Sequence, residues 1–289
     1  MNMINTMYSQ TARFDTGRAL TEDELRKLAP SIFATQAHAS RSERFAPIPT
    51  IDVLRGLAKE GFHPVGAKQS VARLDDRRDF TKHLIRLRRF DDQVAKYSVG
   101  DTVCEMLLKN ANDGSSAYDL MAGLFRICCL NSMVTQTGAI DELKVRHSGD
   151  VLPKVIEGTY RVLGEAQKAL AAPAEWSAQR LVADERMALA EAAHVLRFGD
   201  AEGNTKTPVK PEQLLRHRRR GDEGTDLWTT FNVVQENTIK GGVTAYGEDA
   251  LGRRRRVTTR AVNGIDGDVR LNKALWILAE RMAQIKIAA

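Results

Sequence analysis

The sequence predicts an α+β protein: an antiparallel sheet over about residues 62–147, packed by long helices, then a C-terminal helical part carrying a basic β-hairpin. Three observations predict it. Apolar residues between Phe62 and His147 recur with a period near two. From Val151 onward the period turns to that of a helix. The strand-like and helix-like segments come in blocks rather than in alternation, which argues against a doubly wound parallel sheet.

Taken in order, residues 1–46 read as a loosely organised arm with one short helix, Thr21–Leu28, opened by Thr21 and Glu24 in a capping box. Pro47 and Pro49 interrupt the chain. Thr50 is then expected to cap a helix over Ile51–Glu60, with Ile51, Leu54, Leu57 and Ala58 on its apolar face and Gly61 as its stop. Strands follow at His63–Leu74 and Lys82–Phe90, joined by the charged turn Asp75-Asp76-Arg77-Arg78-Asp79, and at Thr102–Asn110. Asn112-Asp113-Gly114-Ser115-Ser116 is a turn, since an Asp-Gly step suits one. The apolar run Ala117–Val134 fits helix or strand, and Leu124–Val134 is assigned to a buried strand. Glu142–His147 closes the sheet.

Val151–Ala171 is a long helix with Val155, Ile156, Tyr160 (or Thr159), Leu163 and Ala166 on one face, broken by Pro173. Trp176–Phe198 is a second helix and residues 199–210 a linker. Short helices are expected at Pro211–Arg219 and Asp226–Ile239, the second stopped by Gly241-Gly242. Val243–Tyr246 and Arg253–Val262 form the arms of a hairpin. Asp266 or Asp268 caps a last helix with the stripe Leu271, Leu275, Leu278 and Met282. The domain organisation expected is an arm at 1–46, a core at 47–198 and a C-terminal segment at 199–289.

The 289 residues are 43% hydrophobic and 28% charged, which fits a folded chain able to bury a core and excludes wholesale disorder. No stretch has the apolar length of a membrane span, and Met1–Phe14 lacks the apolar centre of a secretory signal. Cys104, Cys128 and Cys129 are an odd set with an adjacent pair, no disulfide framework, and are read as reduced, buried thiols of a cytoplasmic protein.

Charge is unevenly spread. Residues 206–289 hold 16 Lys and Arg against 10 Asp and Glu, whereas residues 1–205 hold 27 of each, so the whole excess of +6 lies in the last third. Its sharpest point is Arg253-Arg254-Arg255-Arg256. Adjacent guanidinium groups repel one another unless anions lie between them, and nucleic acid is the commonest polyanion a cell offers.

Two constellations carry the candidate binding residues. In the first, Lys82, Leu84, Arg86 and Arg88 face one way on their strand while Ile85 and Leu87 face the other. Lys68, Lys109, Lys144 and Arg146 are expected on the same face, together a basic groove for a phosphate backbone; salt bridges to residues such as Glu105 are the alternative for each of them. In the second, Arg253–Arg256 and Arg260 arm the hairpin, beside Tyr246 and the cluster Arg216 and Arg218–Arg220. Stacking partners are few, at 6% aromatic. No phosphate-binding glycine loop, dinucleotide fingerprint, nucleophile elbow or metal-spaced Cys/His cluster is present in the sequence. No catalytic residue, cofactor or metal is therefore assigned; His63, His83 and His147 on the sheet, and Asp75, Asp76 and Asp79 in the turn, are the residues a metal site would draw on.

Three segments together carry a family pattern. They are Asn112–Tyr118 leading into Leu120–Arg126, then Val145–Gly149, and finally Leu227–Asn237 with Thr259–Asp266. The chain from about Pro47 to its C-terminus resembles the domain of unknown function 932 family of plasmid- and prophage-like proteins. That resemblance implies a mobile-element origin and supplies no catalytic residue to carry over. By analogy of layout with annealing proteins, the function expected is binding or annealing of single-stranded DNA by a homo-oligomer, as in recombination. The rival readings are a protein-interaction factor that modulates host defence or replication, and a metal-dependent nuclease.

Overall fold

The computed structural model describes residues 18–72, 74–90, 102–126, 131–134, 143–145, 152–200, 202–248 and 251–288. The helices are α1 (Glu22–Leu28), α2 (Thr50–Lys59), α3 (Leu152–Ala169), α4 (Ala172–Ser177), α5 (Ala183–Phe198), α6 (Pro211–Leu214), α7 (Leu227–Lys240) and α8 (Ile265–Ala288). The strands are β1 (Phe62–Gln69), β2 (His83–Arg89), β3 (Thr102–Asn110), β4 (Tyr118–Arg126), β5 (Asn131–Val134), β6 (Leu143–Val145), β7 (Thr244–Glu248) and β8 (Arg254–Thr258). The fold is α+β, as the block order of the sequence predicts. It divides into two compact units, one of Met1–Leu130 with Thr137–Gln167 and one of Asn131–Gln136 with Lys168–Ala289.

In the first unit β1, β2, β3 and β4 pair antiparallel in chain order, and β6 pairs antiparallel with β4. Directly opposed residues share a face, so the register sorts the side chains. Ile85, Leu87, Met106, Leu108, Leu120 and Ala122 lie on one face. They form one core with Leu25 of α1, Ile51, Leu54 and Leu57 of α2, and Val155 and Val162 of α3. α1 forms where the sequence puts it: Glu24 N donates to Thr21 Oγ1 at 3.3 Å and Thr21 N to Glu24 Oε2 at 2.8 Å.

Thr50 opens α2 but is not its cap, which is Pro49. The Thr50 hydroxyl is taken by the core instead: it meets His83 Nε2 at 2.9 Å and accepts from Asn110 Nδ2 at 3.0 Å, while His83 Nδ1 meets Ser31 Oγ at 2.8 Å. Residues 18–46, expected as a loose arm, are part of this core through Leu25, Ala29 and Ile32. Their helical turns are too short to show a periodicity.

The second unit is organised around Trp176 of α4, Trp228 and Phe231 of α7 and Trp276 of α8; the Trp176 and Trp276 rings lie 4.5 Å apart. α7 is buried nearly all round, polar side included. Its polar residues satisfy other segments. Gln235 donates to Asn272 of α8 (2.6 Å), and Asn237 donates to the carbonyls of Leu214 (2.8 Å) and Arg216 (2.9 Å). Asp226 caps it by accepting from Thr229 N at 2.8 Å. Gly241 ends it with φ 65°, where a Cβ would fall 2.6 Å from the Arg260 carbonyl carbon.

Elsewhere the elements differ from the expectation for identifiable reasons. β4 starts at Tyr118, not Leu124, and is buried on both faces, so its alternation is invisible in the sequence. The helix expected over 176–198 is two: between them Leu181 N donates to Thr225 O and Leu227 N to Gln179 O, both at 2.9 Å, a long-range pairing that local pattern cannot reveal. Asp266 and Asp268 lie inside the first turn of α8 rather than before it. The chain passes between the two units at 130/131, 136/137 and 167/168.

Candidate nucleic-acid interface

The second face of the sheet carries its cations. Its register puts Lys68 opposite Leu84, Leu84 opposite Lys109, and Lys109 opposite Asp119, which in turn is opposite Lys144. Arg86 and Arg88 follow on the same face of β2. The alternation read from the sequence is therefore the alternation of the fold. Arg146 and His147 lie outside the described residues, as do Cys128, Cys129 and Tyr97.

Sharing a face does not make these cations a groove. Arg86 grips Glu105 with two hydrogen bonds (Nε–Oε2 2.6 Å, Nη2–Oε1 3.0 Å), and Arg88 Nη2 reaches Glu105 Oε1 at 2.6 Å. The three side chains are 13%, 5% and 0% exposed. The Arg86 guanidinium also lies over the Phe125 ring at 3.9 Å. Lys109 Nζ pairs with Asp119 Oδ2 at 2.8 Å, both nearly buried. Arg86 and Arg88 are thus internal counter-ions, and the expectation that they face a phosphate backbone is corrected. The reason is desolvation: a buried guanidinium needs a carboxylate, and β3 supplies one between the two arginines. Lys68 and Lys82 are half-buried, Lys82 just ahead of β2.

Of the proposed sheet histidines, His63 and His83 lie on opposite faces, and His147 is outside the described residues. His63 is opposite Arg88, on the ionic face, and His83 is on the core face. Burial pushes the His83 imidazole down to about 4, so it stays neutral between its two hydroxyl partners. Among the described residues no three His, Cys, Asp or Glu side chains gather as metal ligands. Cys104 is a free thiol that burial, and then the Glu105 charge, push up to about 12, well out of reach of thiolate chemistry.

The hairpin is different. β7 and β8 pair antiparallel, with Tyr246 opposite Arg256, Glu248 opposite Arg254 and Thr244 opposite Thr258. These residues form one face. The other face holds Ala245, Gly247, Arg255 and Val257, and it is fixed to the second unit. Ala245 is buried, Gln213 Nε2 donates to Thr244 O at 2.7 Å, and a Cβ on Gly247 would stand 3.0 Å from Pro208. Glycine suits this close approach, since a side chain there would press Pro208 aside. The anchoring turns Tyr246, Arg254 and Arg256 outward. Tyr246 is 58% exposed, and the Arg254 guanidinium lies over its ring at 4.1 Å.

Arg253 to Arg256 and Arg260 are all exposed. Among the described residues Arg254, Arg255 and Arg256 form no ion pair with a carboxylate, Glu248 included. Arg218 and Arg219 are committed elsewhere. Arg218 binds Asn237 Oδ1 (2.9 Å) and the Gly241 carbonyl, and Arg219 binds Asp222 (2.7 Å) and Glu236. Arg216 and Arg220 are exposed. The anchor at Pro208 and the commitment of Arg218 to α7 have no signature in the sequence, because both depend on distant segments meeting in the fold.

The profile of the family described as Domain of unknown function (DUF932) matches residues 37–276. The chain belongs to that family. It is similar to the UPF0380 proteins YafZ and YfjQ of Escherichia coli (strain K12), each 44% identical over 265 residues, or 92% of either chain. No solved structure matches. Two of the family segments read from the sequence have a visible place in the fold. Tyr118–Arg126 is the doubly buried strand β4, and Leu227–Asn237 is the buried helix α7. Among the described residues no helix is long and apolar enough to cross a membrane.

Proposed function

We propose that the chain binds nucleic acid, single strands in preference, through the open face of the 243–262 hairpin. The observation that carries this reading is the outward pair Arg254 and Arg256 beside Tyr246, solvent-exposed and without a carboxylate partner among the described residues. Residues two apart on a strand are about 7 Å apart, the advance of two stacked nucleotides at about 3.4 Å each. Two guanidinium groups at that interval can each take a phosphate, and the tyrosine offers a surface on which a base stacks, which favours an unpaired strand. The ionic face of the sheet has no part in it.

A salt titration tests the reading. Anisotropy of labelled single- and double-stranded oligonucleotides is expected to show affinity that falls steeply with salt, with the single strand bound more tightly. Replacing Arg254 and Arg256 by Ala is expected to weaken binding for every sequence alike. Affinity unchanged by that double substitution removes the hairpin from the interface. Partners retained after nuclease treatment of a lysate would favour protein recognition instead.

A further inference from the structure

Arg77 lies in the 3-10 turn Asp75–Phe80 between β1 and β2, in the stretch of alternating charge that the hairpin reading does not use. It is half-buried, and its Nε is closed off from solvent with no acceptor among the described residues. Its acidic neighbours do not serve it: Asp76 turns to His38 (3.5 Å). A guanidinium N–H taken out of water without an acceptor costs free energy, and an anion held at the outer nitrogens of the same guanidinium, which are not closed off, would compensate its charge.

The surroundings supply room and further donors for one. A cleft of about 690 Å³ opens here, lined by Ser70, Leu74, Arg77, Lys82, Asp113 and Ser115, from the β1–β2 connection and the β3–β4 turn. That size lies within the range of about 300–1,000 Å³ that holds small molecules. Two cationic side chains and two hydroxyls suit a phosphate better than a lone carboxylate. Val71 and Leu74, 77% and 57% exposed, line the same cleft as an apolar bed for a planar base. Asp113, whose Oδ1 accepts from Ser115 N at 2.9 Å, adds an acceptor for a sugar hydroxyl or an exocyclic amine. Cations, an apolar bed and an acceptor around one cleft match the three parts of a nucleotide.

We infer that this cleft binds a nucleoside monophosphate group, either as a free nucleotide or as the 5′-phosphorylated end of a strand. It is built from the first unit alone and stands whether or not the hairpin binds nucleic acid. Equilibrium dialysis of the full chain against AMP, adenosine and a 5′-phosphorylated diadenylate tests it. Saturable binding of one AMP or diadenylate per chain is expected, at least tenfold weaker in Arg77→Gln and in Lys82→Gln, and unchanged in the Arg254→Ala, Arg256→Ala variant. Circular dichroism checks that each variant is folded. A diadenylate bound tenfold more tightly than AMP assigns the site to strand ends; parity assigns it to free nucleotides. Absence of saturable binding, adenosine binding as well as AMP, or affinity unmoved by Arg77→Gln overturns the inference.

Discussion

Glu105, 1% exposed, stands between Arg86 and Arg88 on the ionic face of the sheet. Removing its charge leaves two guanidinium groups buried with less compensation than their desolvation requires. Glu105→Gln is therefore expected to destabilise the fold by about 3–5 kcal/mol, read from urea unfolding midpoints. His83 sets a second residue-scale expectation. Its imidazole stays neutral down to about 4 when folded but takes a proton near 6.5 when unfolded. Between those values the unfolded chain binds more protons, so this contribution to stability is complete above about 6.5 and is lost as pH falls toward 4. The loss approaches roughly 3 kcal/mol at the acid end. Unfolding measured from pH 7 to 4.5 is expected to show it, and a nuclear magnetic resonance titration giving His83 an ordinary midpoint would refute it. The alternation that places Arg86 and Arg88 on one face was legible in the sequence. That Glu105 neutralises Arg86 and Arg88 was legible only as an alternative, and the pairing of Lys109 with Asp119 was not legible, because both depend on cross-strand register and on burial of both faces.

At the scale of elements, the hairpin was legible in its placement, because exposed ribbons follow local rules: turn glycines, a polar bend and β-prone ends; its arms run Thr244–Glu248 and Arg254–Thr258, where Val243–Tyr246 and Arg253–Val262 were expected. β4 was not, because a strand buried on both sides has no polar beat. The gap between α4 and α5 was not, because the backbone of residues 225–227 makes it. The salt dependence of oligonucleotide binding belongs here. On a single strand, each phosphate left without its cation makes the slope of log affinity against log salt shallower by about 0.7, so the Arg254→Ala, Arg256→Ala variant should lose about 1.4. A slope that stays put while affinity drops would mean these arginines hold the ribbon's shape and touch no phosphate. The capping box of α1 gives a plainer expectation: Thr21→Ala should cost about 1 kcal/mol, measured as a shift in the unfolding midpoint.

For the whole molecule, the division into two units governs what any probe reports. All three tryptophans belong to the second unit and lie close to Phe231, within one aromatic cluster, so their fluorescence follows that unit. His83 and Glu105 belong to the first. At pH 5 the far-ultraviolet dichroism is expected to show an earlier urea transition than the fluorescence, and coincident curves at every pH would mean the units unfold as one. The charge asymmetry read from the sequence takes a narrower form in the fold: residues 206–289 lie in the second unit's part of the chain, Arg218 and Arg219 are bonded to Asn237 and Glu236 of α7, and the exposed arginines include Arg216, Arg220 and the run Arg253–Arg256 on the ribbon. A ribbon with arginine at four successive positions has a further property. Strand geometry sends alternate side chains outward, so gain or loss of a single residue in the bend would swap Arg254 and Arg256 for Arg253 and Arg255 and still present two cations to the solvent. Such a slip would betray itself through Val257, rotated from the packed side into water. Length variation in that bend is thus neutral for charge and penalised by one aliphatic side chain.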